Sequence, residues 1–249
     1  MPNSHATSFP AHSVMSENQN PLKPTEVRQI CFDNGLIITD LQWQLLEEWA
    51  DLLLNYNQEI NLISRKETDL LWEKQILHCL SLPVYQEIPQ GVEVCDFGTG
   101  GGFPGIILAI IRPDLHLTLV DSRQKKAAVV QQIVDDLKFS NVRVICGRGE
   151  VLGKQDEWNQ RFPVITARAV APLIDLVRWT SGLRKPESAL HLLKGGEIQD
   201  EMNALSLMYS GIKISKSLIV LKGYTKFAEN QKYIISINFS SETKNSDNY

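Results

Sequence analysis

From residue 92 onward, short apolar runs alternate with stretches in which apolar residues recur at helical spacing, and this alternation predicts strands and helices in turn. Residues 92–97, 115–121, 142–146, 163–167 and 189–193 read as strands, and 104–111, 124–137, 173–183 and 199–208 as helices. On the helix over 124–137, Ala127, Val130, Val134 and Leu137 share one face. Strand-helix alternation signals a mostly parallel sheet with crossover helices on both faces, an α/β fold. Two late strands over 214–221 and 233–239 follow, expected as a hairpin through a loop over 223–231. Upstream the period is helical. Thr39 and Gln42 have the spacing of a capping box, and Leu41, Leu45, Trp49, Leu52 and Tyr56, widened by Leu46 and Leu53, predict a core-facing stripe. A second helical segment over 67–82 follows the bend at Asn61–Ser64. No internal repeat is visible. The pattern divides the chain into a disordered tail (1–20), a helical extension (21–90), the sheet domain (91–240) and a polar C-terminal tail (241–249).

Composition narrows this picture without redirecting it. The 249 residues are enough for one large domain, and 43% apolar and 22% charged residues are ordinary for a soluble protein. No apolar run approaches the ~20 residues that span a bilayer. The first residues are rich in Ser, Asn, Pro and His and lack the apolar core of a secretory signal. Cys31, Cys79, Cys95 and Cys146 are scattered with no C-x-x-C pair, so neither a metal site nor a disulfide framework is expected, and a reducing cytoplasm fits best. The net charge of −4 means that any contact with nucleic acid must come from a local basic patch.

The chemistry-bearing segment is the turn from Cys95 through Gly105. Its glycines let the backbone approach a ligand and leave amide donors pointing outward. The next strand ends in Asp121, whose carboxylate can accept both hydroxyls of a ribose, about twenty residues on as in a βαβ nucleotide unit. Gly100-x-Gly102-x-x-Gly105 also satisfies the dinucleotide pattern, so an NAD-dependent oxidoreductase is a competing reading. Pro104, which suits the first helical turn, removes an amide donor a pyrophosphate would use and tilts the choice away from a dinucleotide. Asp96 either holds the turn or meets the methionine ammonium through water. Gly147-Arg148-Gly149-Glu150 reads by itself as an ordinary polar loop, and Arg168 fits a buried ion pair and a ligand contact equally well. Lys74 and His78 read as surface or packing residues, with no metal partner at useful spacing.

The turn Asp96-Phe97-Gly98-Thr99-Gly100-Gly101-Gly102-Phe103-Pro104-Gly105, the Arg112-Pro113 step, Leu119-Val120-Asp121-Ser122, Gly147-Arg148-Gly149-Glu150, Thr166-Ala167-Arg168-Ala169-Val170-Ala171 and Leu193-Lys194-Gly195 occur in one order. That series resembles the bacterial small-subunit ribosomal RNA guanine-N7 methyltransferase family, also called glucose-inhibited division protein B. The Gly-Phe-Pro-Gly and Ala-Arg-Ala-x-Ala pieces are the specific ones. The resemblance implies a class I S-adenosylmethionine-dependent methyltransferase fold. It places Gly98, Gly100, Phe103, Asp121, Ser122, Gly149, Glu150 and Arg168 at the cofactor, and Arg148 and Lys194 at the substrate mouth. It implies methyl transfer to guanine N7 in small-subunit ribosomal RNA, or in an assembling small ribosomal subunit, by a cytoplasmic monomer. No catalytic side chain is expected, because N7 carries an in-plane lone pair and no proton at neutral pH.

The chain also departs from the family pattern. A basic-His-x-x-Asp-Ser run is replaced by Lys74-Gln75-Ile76-Leu77-His78-Cys79, and Glu229 is followed by Asn230 where the family often carries Arg. These changes lie outside the glycine turn, so the expectation is that they spare cofactor binding and bear on RNA docking or activity. A non-catalytic RNA-binding or assembly protein is therefore a third reading.

Overall fold

The computed structural model of the chain describes residues 20–245, so the tail expected over 1–20 lies outside the described residues up to position 19. The lead-in comprises α1 (Pro24–Asp33), α2 (Asp40–Asn57), a 3-10 turn over Arg65–Leu70, a π-helical stretch over Leu71–Leu77 and α3 (His78–Tyr85). Then come β1 (Glu93–Phe97), α4 (Gly105–Ile111), β2 (His116–Asp121), α5 (Gln124–Asp136), β3 (Val142–Cys146) and α6 (Gly149–Leu152). They are followed by β4 (Phe162–Arg168), α7 (Leu173–Trp179), β5 (Arg184–Gly195), α8 (Gln199–Met208), β6 (Tyr209–Ser210), β7 (Lys213–Leu218), α9 (Lys226–Glu229), β8 (Lys232–Phe239) and β9 (Lys244–Asn245).

Among the described residues, seven strands form one sheet in the order β3-β2-β1-β4-β5-β8-β7, and a short β6-β9 ladder stands apart, formed by part of the expected C-terminal tail. The pairings from β3 to β5 are parallel, and β8 runs antiparallel to both neighbours. The period of two along each strand divides the core. Val94, Leu117, Leu119 and Val164 pack with the lead-in helices, α4 and α5, whereas Cys95, Val120, Ile165 and Ala167 pack with α7 and its neighbours. Helices therefore cover both faces. The chain order reverses between β1 and β4, where open α/β sheets leave a crevice at the strands' carboxyl ends.

Several expectations are adjusted. Thr39 caps α2 with Gln42 in the reciprocal box, but the buried stripe is Trp43, Leu46, Trp49, Ala50, Leu53 and Asn57, and Leu41 is 76% exposed. Both phases of the stripe share 46, 49 and 53, and neighbours such as Trp72, 5.3 Å from Trp43, decide which flank is covered. The single helix expected over 67–82 is three successive windings, since six or seven residues are too few for apolar spacing to separate them. The helix expected over 173–183 stops at Trp179, and the loop expected over 223–231 contains α9.

Candidate active site

The glycine turn is built from β1 outward. Asp96, fully buried at the end of β1, accepts hydrogen bonds from Thr99 Oγ1 at 2.6 Å and the Gly105 amide at 2.9 Å on Oδ2, and from Thr166 Oγ1 at 3.2 Å on Oδ1. Of the two roles open to it, it takes the first and holds the turn. Burial raises its pKa to about 6, with the Thr99, Gly105 and Thr166 hydrogen bonds working the other way. The Gly98 and Thr99 amides both donate to the Val120 carbonyl, at 2.8 and 3.0 Å, tying the turn to β2. Gly98 and Gly100 have φ of +71° and +59°, which residues with a Cβ rarely adopt. A Cβ on Gly100 would meet only the Gly98 carbonyl, at 3.9 Å, so its wall-side face is open to a ligand.

Asp121, at the end of β2, faces this turn. Its Oδ2 accepts the Gly100 amide at 2.9 Å and its Oδ1 the Arg123 amide at 2.8 Å, which orients the carboxylate while leaving further lone pairs. Behind the turn stands the lead-in. Trp49 packs edge-on against Phe103 with centroids 5.1 Å apart, and a Cβ on Gly101 would touch Leu53 at 3.1 Å. Buried Asn57 accepts the Leu62 and Ile63 amides at 2.8 and 2.9 Å, shaping the bend that brings both residues to the site.

The space enclosed is a cavity of about 630 Å³, within the range of small-molecule sites. Gly98, Gly100, Phe103, Asp121, Ser122, Arg148, Gly149, Glu150 and Arg168 all line it, although they come from four strand ends. Lys194 does not. Its ammonium donates to the Ala171 carbonyl at 2.8 Å and to Glu201 Oε2 at 3.1 Å, so an ion pair at the α7–α8 junction uses the charge expected at the substrate mouth.

Sequence reasoning missed Leu62, Ile63, Glu67 and Gln75 from the lead-in, Lys126 from α5 and Trp179 from α7. No local motif marks them. Gln75 alters an earlier expectation, because it lines the cavity and accepts a hydrogen bond from Arg168, and His78 stands beside the same guanidinium. The departures at 75 and 78 therefore reach the cavity wall through Arg168. Cys79 is fully buried, and burial pushes its thiol up to about 12, whereas Asn230 caps α9 by donating to the Lys226 carbonyl at 2.7 Å.

Comparison with known proteins agrees with this architecture. The fold resembles a mutant of MtNAS in complex with S-adenosylmethionine at a TM-score of 0.52 and 14% identity, over 88% of this chain and 84% of that one. It also resembles a predicted O-methyltransferase from Agrobacterium tumefaciens at a TM-score of 0.51 and 15% identity, over 68% and 82% of the two chains. Such likenesses speak for the fold, which is that of class I methyltransferases. In sequence, the chain is 34% identical to the ribosomal RNA small subunit methyltransferase G of Chlorobium limicola over 84% of this chain and 94% of the relative. It is 39% identical to the protein of the same name from Flavobacterium johnsoniae, over 66% and 79%. The family model for rRNA small subunit methyltransferase G matches residues 42–233, from the capped lead-in helix to the start of the reversed strand, and the chain belongs to that family.

Proposed function

We propose that the chain transfers a methyl group from S-adenosylmethionine to N7 of a guanine in small-subunit ribosomal RNA. The observation that carries this reading is the Asp121 carboxylate facing the Gly98–Gly100 turn across one cavity, in a member of this family. The residues present fit the cofactor. Asp121 retains lone pairs for ribose hydroxyls, the Gly100 wall is open, and Gly149 and Glu150, which line the same cavity, are assigned to the edge of the adenine.

When bound, S-adenosylmethionine supplies a methyl group on a positively charged sulfur, to be displaced in line. The chain's share is positioning. Phe103 and the Gly98 turn bound the end of the cavity beside Arg168, and Ser122, exposed beside Asp121, flanks the ribose position. Leu62, Ile63 and Val170 exclude water from the wall. Guanine N7 offers its lone pair without losing a proton, so no side chain acts as general base. Arg148, exposed on the cavity lining with Arg123 and Lys126 nearby, supplies positive field for RNA phosphates. Lys194 is left out of that role.

The reading takes the small-subunit RNA or its assembling particle as partner and the protein as a cytoplasmic monomer. Among the described residues no helix is long and apolar enough to cross a membrane. Labelled methyl transfer into small-subunit RNA followed by nucleoside mass spectrometry tests the proposal, with 7-methylguanosine as the expected product. RNA binding without methyl incorporation would favour the non-catalytic reading, and label on another atom would overturn the assignment of N7.

A further inference from the structure

Among the described residues, three carboxylates line the cavity: Asp121, Glu150 and Glu67. Asp121 ends β2 and Glu150 lies in α6 just beyond β3, the side assigned to ribose and adenine. Glu67 has no task in that arrangement. It belongs to the 3-10 turn of the lead-in, and Gln75 links it to Arg168 at the end of β4. In the sheet order β3-β2-β1-β4 it therefore stands across the Gly98 turn from the adenine side.

Two features set Glu67 apart. Its side chain is 36% exposed whereas Asp121 is buried, so Glu67 stands on the rim of the cavity and Asp121 on its floor. Its carboxylate is also oriented without being used up. Gln75 Nε2 donates to Oε2 at 2.9 Å, and Lys74 Nζ stays 3.7 Å from Oε1, beyond hydrogen-bond distance. Each carboxylate oxygen can accept two hydrogen bonds, so both keep room for a ligand.

A negative charge on the rim of a cavity that receives a polyanion opposes binding unless it accepts hydrogen bonds from what enters. Of the four RNA bases, guanine alone presents two adjacent donors on its pairing edge, N1–H and the 2-amino group, and one carboxylate can take both. In an RNA duplex N7 faces a groove too deep and narrow for side chains. The target base must therefore be unpaired or turned out of its stack, which frees its pairing edge to be read. N7 lies on the opposite side of the purine from these donors, so with N7 toward the sulfonium on the floor they turn toward the rim. We infer that Glu67 is a specificity-determining residue that accepts N1–H and the 2-amino group and so selects guanine. This rests on the function proposed above.

Glu67→Gln keeps the shape of the side chain, and its amide oxygen can still accept from Gln75, but its amide nitrogen sets a donor against the donors of guanine. Inosine makes the complementary change, since it keeps N7 and N1–H and lacks the 2-amino group. The assay is labelled methyl transfer into a small-subunit RNA fragment carrying guanine or inosine at the position that mass spectrometry identifies as methylated. We expect the parent to favour guanine about tenfold or more in kcat/KM, the loss that follows from one hydrogen bond to a charged group. Glu67→Gln should lose about tenfold or more on guanine while its preference over inosine shrinks below about threefold. Glu67→Asp, which keeps the acceptor, should retain a preference. Affinity for S-adenosylhomocysteine, read by calorimetry, should stay within about twofold of the parent in both variants.

An undiminished preference in Glu67→Gln would overturn the inference, as would a parent that methylates both RNAs equally. Weaker binding of S-adenosylhomocysteine with unchanged affinity for 5′-methylthioadenosine, which lacks the amino-acid tail, would give Glu67 to the ammonium of the cofactor instead. A lower melting temperature with both rates falling together would reduce its role to holding the lead-in. In each of these cases the parent still forms 7-methylguanosine and this inference alone fails; if the parent forms none, the proposed function fails with it.

Discussion

The Asp121 carboxylate, the proposed ribose acceptor, also holds the Gly100 and Arg123 amides. Asp121→Ala removes the acceptor and loosens the turn, so affinity for S-adenosylhomocysteine should fall about tenfold or more by calorimetry; an unchanged affinity would remove Asp121 from the site. Gly105 is required for packing. A Cβ there would lie 2.1 Å from Leu119 Cδ2 and 2.7 Å from Asp96 Oδ2. Gly105→Ala should cost about 1–3 kcal/mol, read as a lower urea midpoint. Two buried groups oppose one another in their pH dependence. Burial lowers the pKa of His191 from 6.5 to about 4, so the unfolded chain takes up the proton first and stability is lost as pH falls below 6.5. Asp96 is raised from 3.8 to about 6, and what it contributes in acid is lost as pH rises across that window. Removing the first leaves the second. Between pH 7 and pH 5, His191→Asn should gain about 2 kcal/mol relative to the parent in urea titrations.

At the scale of elements, the lead-in is a wall of the site rather than an appendage. Its bend and its 3-10 and π windings supply Leu62, Ile63, Glu67 and Gln75 to the cavity, and Trp49 supports Phe103 from behind. A buried clasp fixes this wall to the far end of the sheet. Glu73, 4% exposed at its side chain, accepts from Tyr224 Oη at 2.9 Å and Lys226 Nζ at 2.8 Å, joining the π winding to the α9 segment. Lys226 is one-third exposed and can be resolvated, whereas the Tyr224 hydroxyl lies in the interior. Glu73→Ala should therefore cost about 2–3 kcal/mol, near the lower end for breaking a buried pair. If the wall and the site are one unit, cofactor affinity should fall along with the denaturation midpoint.

At the scale of the whole molecule, ligand binding and folding are linked. S-adenosylhomocysteine at about a hundred times its dissociation constant should add about 2.7 kcal/mol, a rise of roughly 5–10 °C in Tm for a chain of this size. NAD should leave Tm unchanged, and the reverse result would reinstate the oxidoreductase reading. The net charge of −4 makes RNA affinity a local matter, with Arg148, Arg123 and Lys126 clustered around the cavity. Binding should accordingly weaken steeply with added salt.

The core sheet was legible because its signals are local. The apolar period distinguishes strand from helix within a few residues, and β3 spans the same residues that the pattern predicts. The glycine turn and Asp121 were legible for the same reason, since each lies within one strand-turn-helix unit. The lead-in windings were not, because spacings of 3.0, 3.6 and 4.4 residues cannot be separated over a single turn. Nor could the sequence place Leu41 outside and Trp43 inside, a choice made by what packs against α2. Lys194 was expected at the substrate mouth, but the fold brings Glu201 to it. Gln75 and Arg168 stand 93 positions apart and meet only when the lead-in folds over the end of β4. Local chemistry and periodicity were thus determined by the sequence itself, whereas the partner of each charge was decided by tertiary structure, because Coulomb and hydrogen-bond energies depend on distance in space.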